Sequence, residues 1–321
     1  MSELAIETHE LTRTFRRRGR GDLTAVDRLT VTVAHGEAVG YIGANGAGKS
    51  TTIKLLCGIL VPSSGGVRTC GLAPVPDRRR LAARIGVVFG QRTQLWWDLP
   101  VRESFDLLAA IHRMPTPTAR TRIATLVDEL DMAPFLATPV RQLSLGQRMR
   151  AEIAAALIHS PRLLVLDEPT IGLDVLSKQR LREFLIRERA ERGTTLLLTT
   201  HDMGDVQRLC DRILLVDHGH LAYDGTLAGL SARVGAGRVL VLDLDAPGPD
   251  LVGIPGTRHL ASEGGGLRQR LAYDASVTTL GAVLSAVGEA RGIRDVTVEE
   301  PDIEDVVRRI YLGGADGGMS T

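Results

Sequence analysis

The fold of this chain is decided by the stretch GANGAGKST at residues 43–51. It fits the phosphate-loop pattern G-x-x-x-x-G-K-[ST] and stands between a strand-like run at residues 38–42 and a helix-like run at residues 51–58. Glycines allow backbone N–H groups to turn towards phosphate oxygens, and the N-terminus of the following helix favours an anion. The stretch therefore predicts a nucleotide-binding α/β protein in which Lys49 reaches the β- and γ-phosphates and the Ser50 hydroxyl ligates Mg²⁺. A glycine-rich turn without a ligand is disfavoured by the strand and the helix on either side.

The bulk composition is that of an ordinary globular protein with one large or two unequal domains. The chain has 321 residues, of which 44% are hydrophobic and 24% are charged. Its net charge of +1 gives no argument for nucleic acid or an acidic membrane as a partner. Cys57, Cys70 and Cys210 are too widely spaced for a disulfide framework or a metal site, which indicates a reducing compartment. We expect no signal peptide and, without a run of 18 apolar residues, no membrane span in the chain itself.

Hydrophobic periodicity predicts an α/β core with a mainly helical insertion at about residues 92–160. Prolines separate the helices of that insertion, and Ser177 is predicted to cap the helix that follows the next strand. Strands are expected at residues 5–8, 29–33, 38–42, 65–71, 85–89, 163–166, 195–199, 213–216 and 221–223. Helices are expected at residues 101–111, 118–130, 146–159, 177–192 and 204–209.

A small α+β domain is predicted at residues 231–321, after a first domain at residues 1–230. It contains no phosphate, metal or nucleophile motif. Its predicted strands lie at residues 239–244, 267–273 and 293–299, its helices at residues 277–290 and 303–311, and a disordered tail is predicted at residues 313–321.

Further candidate site residues stand where other predicted strands and helices end. The apolar strand LLVL at residues 163–166 runs into Asp167, a candidate Mg²⁺ ligand, and Glu168, which would polarise the attacking water. Alone, such a strand end is as often a solvated Asp–Glu pair, but the phosphate loop upstream favours the functional interpretation. The segment LSLGQ at residues 143–147 opens a helix, whose backbone donors suit a phosphate. Gln91 and His201 each follow a strand of the same predicted sheet.

Taken together, these motifs resemble the ATP-binding cassette (ABC) ATPases over residues 3–228, in the order usual for that family. The resemblance implies a P-loop NTPase cassette with a mixed sheet core, a D-loop at residues 172–174 and a switch histidine at His201. The signature segment has Leu145 where the family usually has glycine, but it retains Ser144, Gly146 and Gln147, so we expect it to function. Phe15 stands where the family stacks an aromatic ring on adenine; the alternative is that it packs under the basic loop. For ATP binding the resemblance assigns Phe15, Gly43, Asn45, Gly46, Gly48, Lys49, Ser50, Thr51, Ser144, Gly146, Gln147 and Asp174; for catalysis Glu168, His201 and Gln91; and for Mg²⁺ Ser50, Asp167 and Gln91.

The same resemblance implies that two chains form a head-to-tail homodimer around two ATP molecules. Ser144 and Gly146 of one chain would contact the γ-phosphate held by Lys49 of the other, and Asp174 would couple the two sites. Hydrolysis would then release the dimer, with catalysis mainly by positioning and charge stabilisation.

The stretch GVVFGQRTQLWWDLP at residues 86–100 resembles ATP-binding subunits of bacterial exporters of the type-2 permease branch, including the drug and viologen exporter-like members. This implies separate integral-membrane permease subunits and a location on the cytoplasmic face of the cell membrane. Trp96 and Trp97 are the only tryptophans, and adjacent large aromatic residues suit an interface anchor. The alternative is that one of them belongs to the core. The cargo cannot be read from this chain, because in this design the permease recognises it.

Two other functions compete with export. One is a soluble ABC protein that acts on nucleic acid or ribosomes. A basic patch for that function could be formed by Arg13, Arg16, Arg17, Arg18 and Arg20. Such a run is more often a solvated loop, and the second cassette, long coiled coil or zinc motif of those proteins is absent from the sequence. An importer ATPase is disfavoured by the stretch at residues 86–100 and by the C-terminal extension. We therefore expect no nucleic-acid partner.

Overall fold

The computed structural model of the protein describes residues 3–16, 19, 21–90, 93–200, 202–233, 238–273 and 277–299. Its contacts divide the chain into two compact units, residues 1–225 and residues 226–321. The domain boundary predicted after Leu230 stays a prediction, because a division by contacts does not establish which part folds alone.

The secondary structure alternates strands and helices, as the sequence pattern predicts for an α/β core. The strands are β1 Leu4–Phe15, β2 Leu23–Ala34, β3 Ala38–Gly43, β4 Ser64–Thr69, β5 Ile85–Phe89, β6 Leu163–Asp167, β7 Thr195–Thr199, β8 Arg212–Asp217, β9 His220–Gly225, β10 Arg238–Leu244, β11 Thr257–Glu263, β12 Arg268–Tyr273 and β13 Ile293–Glu299. The helices are α1 Lys49–Leu56, α2 Arg78–Ala82, α3 Val101–Ile111, α4 Thr116–Glu129, α5 Leu145–Leu157, α6 Val175–Arg192, α7 Met203–Leu209, α8 Leu227–Arg233 and α9 Leu280–Ala290.

The sheet that positions the site has the strand order β5-β6-β7-β3-β8-β9. Neighbouring strands from β5 to β8 are parallel, and β9 is antiparallel to β8. The strands β6 and β7 are apolar and buried on both faces, as expected for the centre of a parallel sheet. Asp167 at the end of β6 is level with Phe89 of β5 and Thr199 of β7. Because parallel strands end at a common edge, Gly43, Asp167 and Thr199 belong to the same edge of the sheet.

Two hydrophobic cores flank this sheet in the first unit. One lies under the antiparallel sheet β2-β1-β4 and packs residues such as Ile6, Leu29 and Ile53 together. The other packs Phe105, Leu126 and Ile153 of α3, α4 and α5 against the opposite face. The predicted α/β core with a helical insertion is confirmed.

The second unit is a small α+β arrangement with its own core, which confirms that part of the fold prediction. Its antiparallel sheet has the order β11-β12-β10-β13, and Leu240, Leu242 and Leu271 pack against Val283 and Val287 of α9. Strand β11 was not predicted, because its exposed polar residues give no clear alternation. The predicted helix at residues 303–311 and the tail lie outside the described residues.

The predicted cap of helix α6 is wrong. The helix begins at Val175 with Asp174 as its N-cap, because the Asp174 carboxylate accepts hydrogen bonds from the Ser177 backbone N–H at 2.9 Å and from the Ser177 hydroxyl at 2.6 Å. Ser177 therefore lies inside the first turn. Within the described residues, no helix is both long and apolar enough to cross a membrane.

Candidate nucleotide-binding site

The phosphate loop between β3 and α1 requires glycine for two different reasons. A Cβ atom at Gly43 would lie 2.4 Å from the Val216 carbonyl oxygen, and one at Gly48 would lie 2.1 Å from the Ala25 carbonyl oxygen. Gly48 has a φ of 99° and caps helix α1 in the left-handed conformation. Gly46 has a φ of 88°, and a Cβ there would meet no atom within 4 Å. The loop is thus packed from behind and open at Gly46, where a ligand can approach the backbone.

Lys49 lies almost buried at the mouth of this loop. Its Nζ donates hydrogen bonds to the carbonyl oxygens of Gly43 at 2.6 Å and Ala44 at 3.2 Å. Burial lowers the pKa of Lys49, while the negative charges of Glu168 and Asp167 act in the opposite direction. The ammonium group is therefore aimed across the loop and placed in the field of both carboxylates.

The first turn of α1 presents a hydroxyl outward and anchors another inward. Ser50 is exposed, so its hydroxyl is accessible to a ligand. Thr52 is buried, where its hydroxyl donates to the Gly48 carbonyl at 3.2 Å and lies 3.0 Å from the Tyr41 hydroxyl, which donates to it. This pair fixes the start of the helix against β3.

Asp167 and Glu168 have different environments at the end of β6. Asp167 accepts a hydrogen bond from the Thr199 hydroxyl, which orients its carboxylate. Glu168 has a φ of 56°, a left-handed backbone conformation that residues other than glycine rarely adopt. Its backbone N–H donates to the Thr199 carbonyl at 2.9 Å, and its carbonyl accepts from the Ile171 N–H at 3.3 Å. Such a conformation costs about 1–3 kcal/mol and clusters at functional sites.

Gln91 and His201 fall outside the described residues, so their assigned roles stay predictions. Their sequence neighbours are described. A Cβ at Gly90 would lie 2.9 Å from the Asp167 carbonyl oxygen and 3.5 Å from the Glu168 Cβ. The backbone that precedes Gln91 therefore runs against the two acidic residues.

The signature segment starts α5 with a complete capping box. The Ser144 hydroxyl accepts from the Gln147 backbone N–H at 3.2 Å, and the Gln147 side chain accepts from the Ser144 N–H at 2.9 Å. Leu145 and Gly146 lie against the D-loop of the same chain, because Cβ atoms built at Gly172 and Gly146 would meet the side chains of Leu145 and Leu173, respectively. The signature and D-loop segments therefore form one cluster.

Asp174 lies at the exposed tip of that cluster, where its hydrogen bonds from Ser177 lower the pKa of the Asp174 carboxyl group. Around it the apolar side chains of Ile171, Val175 and Leu176 are exposed by 54%, 80% and 68%. Exposed apolar side chains in one segment indicate a contact surface.

Phe15 ends β1 with one face of its ring covered by Arg13, whose guanidinium carbon lies 4.6 Å from the ring centroid. Arg13 also donates to the Val61 carbonyl at 2.9 Å. Arg13 thus has a structural role within the basic cluster, of which Arg17, Arg18 and Arg20 lie outside the described residues. Adenine stacking on Phe15 stays a prediction.

Trp96 and Trp97 are 37% and 49% exposed, so the alternative that one of them is core is wrong. The Arg148 guanidinium lies 5.9 Å from the Trp97 ring. The backbone of this segment is held on both sides, since the Trp96 N–H donates to the Ser104 hydroxyl at 3.3 Å and the Arg141 N–H donates to the Trp97 carbonyl at 3.0 Å.

Sequence reasoning missed Glu152, a buried residue of α5 that joins the signature helix to the segment after Gln91. Its carboxylate accepts from the Thr93 hydroxyl and from the Gln94 N–H at 3.2 Å, and its carbonyl accepts from the Gln94 side chain at 3.0 Å. Burial raises the pKa of Glu152. The available signal was one acid in the apolar run AEIAAAL at residues 151–157.

The residues present fit Mg²⁺ only together with a nucleotide. Within the described part of the chain, no group of three or more His, Cys, Asp or Glu side chains can hold a metal ion. Among the assigned ligands that the structure describes, Ser50 supplies one oxygen and Asp167 a carboxylate, and Mg²⁺ usually completes its octahedron with water and phosphate oxygens.

Comparison with known proteins gives consistent matches. A family model described as ABC transporter matches residues 26–171. The Nod factor export ATP-binding protein I of Paraburkholderia xenovorans (strain LB400) is 37% identical over 233 residues, which are 72% of this chain and 74% of that protein. The daunorubicin resistance ATP-binding protein DrrA3 of Streptomyces coeruleorubidus is 34% identical over 304 residues, 92% of this chain and 93% of that protein. A dimeric post-hydrolysis structure of the ATP-binding cassette MJ0796 with ADP and Pi has a TM-score of 0.64 at 25% identity, covering 69% of this chain and 98% of that one.

Proposed function

The chain belongs to the ABC transporter family, in the branch of ATP-binding proteins that serve exporters, and on this premise we propose that it hydrolyses ATP with Mg²⁺ to drive export through separate membrane permease subunits. The observation that carries the proposal is the position of Lys49. Its ammonium group bonds to the loop carbonyls of Gly43 and Ala44 and lies in the field of Asp167 and Glu168. A phosphate bound in the loop would meet this cation and the backbone donors together.

The chain's own residues supply binding and orientation for hydrolysis. Lys49 and the loop N–H groups would hold the phosphates, and the Ser50 hydroxyl and the Asp167 carboxylate would hold the metal. Mg²⁺, when bound, neutralises charge that develops on the phosphate oxygens. Glu168 accepts a hydrogen bond from the attacking water, and its left-handed backbone marks the point where the chain leaves β6. His201 is proposed to contact the γ-phosphate, and Gln91 is proposed to sense the metal and the water.

The signature and D-loop cluster is proposed to face a second copy of the chain in a head-to-tail homodimer. Ser144 is held by its capping box at the N-terminus of α5, which favours an anion at that point. The exposed Ile171, Val175 and Leu176 would be covered in the dimer, with Asp174 between the two sites.

Trp96 and Trp97 are proposed to anchor a permease subunit. They are exposed, and their segment is tied through Thr93 and Gln94 to Glu152 of the signature helix. A movement of α5 with nucleotide state would therefore be carried to the tryptophans. Binding to a permease would place the chain on the cytoplasmic face of the membrane.

The proposal is tested with Glu168→Gln. This variant keeps the phosphate loop but loses the charge that polarises water, so we expect ATP binding and ATP-dependent dimerisation in size-exclusion chromatography without turnover. Turnover close to that of the wild-type protein would refute the role of Glu168. Recovery of a multi-span protein with the wild-type chain from detergent-solubilised membranes supports the permease, whereas recovery of nucleic acid refutes it.

A further inference from the structure

We propose that Asp205 is a positioning residue for ATP hydrolysis, because one of its carboxylate oxygens joins the two loops that carry Glu168 and His201. The proposal rests on the proposed function and adds a buried residue that acts through the candidate catalytic residues. Asp205 belongs to α7 and is 0% exposed. Its Oδ2 accepts hydrogen bonds from the Thr170 hydroxyl at 2.5 Å and the Thr200 hydroxyl at 3.3 Å.

Both threonines are close in sequence to a candidate catalytic side chain. Thr170 comes two residues after Glu168, and Thr200 immediately precedes His201. The carboxylate therefore sets the spacing between the segment after β6 and the segment after β7.

The backbone on both sides of residue 201 is held by the same group of contacts. The Thr200 hydroxyl accepts from the Asp202 N–H at 2.9 Å, and the Asp205 N–H donates to the Asp202 carbonyl at 3.0 Å. The Glu168 N–H donates to the Thr199 carbonyl at 2.9 Å. A displacement of Asp205 would thus change the course of both loops.

Helix α6 supplies the positive charge that a buried carboxylate needs. Arg182 Nε donates to Asp205 Oδ1 at 2.6 Å, and Arg182 Nη2 donates to Asp202 Oδ1 at 3.3 Å. Lys178 of the same helix bonds to Asp202 at 2.6 Å. Because Asp174 of the D-loop cluster caps the N-terminus of α6, the contacts reach from that cluster to the flanks of His201.

The conformation of Glu168 explains why such a support is needed. A left-handed φ of 56° persists only where the surrounding structure holds it. Thr170 bonds to Asp205 of α7, and the Thr199 carbonyl accepts from the Glu168 N–H. These two contacts hold the chain at Glu168 and just after it. Catalysis by positioning is sensitive to displacements of about 1 Å, which can cost on the order of a hundredfold in rate.

The test uses Thr200→Val, which removes one hydroxyl with little change of shape and leaves the ion pair of Asp205 and Arg182 in place. Thr200→Ser retains the hydroxyl. Thr195→Val is the matched control, because Thr195 is buried at the opposite end of β7, where its hydroxyl accepts from the Gly36 N–H at 3.0 Å. Steady-state ATPase kinetics, thermal unfolding and amide hydrogen exchange are measured for each full-length variant.

We expect Thr200→Val to lower kcat by about tenfold or more and to change KM for ATP by less than about twofold, since the phosphate loop is untouched. Thr200→Ser should restore most of the rate, and exchange at residues 199–205 should accelerate only in Thr200→Val. Equal kcat values for Thr200→Val and Thr195→Val would overturn the positioning role, as would a serine variant as slow as the valine variant. An inactive Glu168→Gln beside an unaffected Thr200→Val would refute this proposal alone, whereas a wild-type chain without ATPase activity would refute both.

Discussion

The side chain of Leu145 occupies the space beside the α-carbon of Gly172, where a Cβ atom would lie 2.1 Å from Leu145 Cδ2. Leu145 is the residue that departs from the usual glycine of the signature segment. Leu145 is 41% exposed, and the covered part of its side chain lies against the D-loop of its own chain. The departure therefore ties two segments of the proposed dimer surface together.

Gly172→Ala tests this contact, with Gly193→Ala as the control. Both glycines have positive φ values, 71° and 66°, but a Cβ at Gly193 would meet nothing within 4 Å. Alanine at a positive φ should cost about 1 kcal/mol at both positions. At Gly172 the displaced Leu145 should add about 1 kcal/mol more, and ATP-dependent dimerisation should weaken. Urea unfolding measures the difference in stability loss between Gly172→Ala and Gly193→Ala. Combining Leu145→Ala with Gly172→Ala should remove this difference. Equal losses of stability at the two glycines would contradict the contact.

Lys49→Ala should weaken nucleotide binding itself, because it removes a charge-assisted contact to phosphate. Lys54→Ala is the control, since Lys54 lies in the same helix, in its last turn. The increase in Tm on adding ATP and Mg²⁺ should shrink for Lys49→Ala and persist for Lys54→Ala. An unchanged increase in the first variant would place Lys49 outside the site.

Trp96→Ala and Trp97→Ala should each weaken binding to the permease. Replacing the tryptophan that is the main anchor should reduce the binding free energy by about 2 kcal/mol or more, roughly thirtyfold in Kd. Basal ATPase activity should survive, because neither indole is predicted to contact phosphate, while transport should fail. Co-purification with the permease and the ATPase rate are the two measurements. Normal co-purification and transport in both variants would leave the tryptophans without a docking role.

The stacked pair His112–His159 should make the stability of the first unit sensitive to acid. The rings lie 3.9 Å apart, and burial lowers the pKa of His159 from 6.5 to about 4, with His112 and Arg122 adding repulsion. Since His159 Nε2 lies 3.0 Å from the Ile85 carbonyl, it donates the proton in the neutral form. The unfolded chain binds the extra proton first, so stability is complete above pH 6.5 and falls as pH drops towards 4, by at most about 3 kcal/mol.

Urea unfolding of His159→Gln at pH 7.5 and 4.5 checks this expectation. The glutamine amide can still donate to Ile85, so the variant should lose less stability between the two pH values than the wild-type protein. His9→Gln, at an exposed position, should behave like the wild-type protein. Equal acid sensitivity of His159→Gln and the wild-type protein would refute the role of the pair.

Truncation after Leu230 tests the proposed domain boundary. The phosphate loop, the acidic strand end and the signature segment all lie in the first unit, which has its own cores. We expect a folded fragment with a normal increase of Tm on ATP binding, measured beside circular dichroism. A folded fragment that does not bind ATP would show that the boundary is wrong.

Local sequence was sufficient to predict the elements whose causes are local. The glycines and Lys49 of the phosphate loop, the apolar run before Asp167 and the helix opened by Ser144 each combine a periodic pattern with a specific end signal. The cap of α6 was misplaced because Asp174 and Ser177 are both residue types that favour the N-cap position. The choice between them depends on where the D-loop ends and the helix begins. Strand β11 was missed because its side chains are mostly exposed and carry no clear alternation.

The sequence by itself determined the motif residues and their order, since each motif is a short segment whose chemistry depends on residue type and spacing. Tertiary structure alone decided which distant groups meet: Asp205 with Thr170 and Thr200, Glu152 with Thr93, and Leu145 with Gly172. These contacts depend on strand order and helix packing, which bring together residues 5 to 59 positions apart. Spacing along the chain carries no information about such distances, so neither the supporting carboxylates nor the contact of the signature with the D-loop could be read from it.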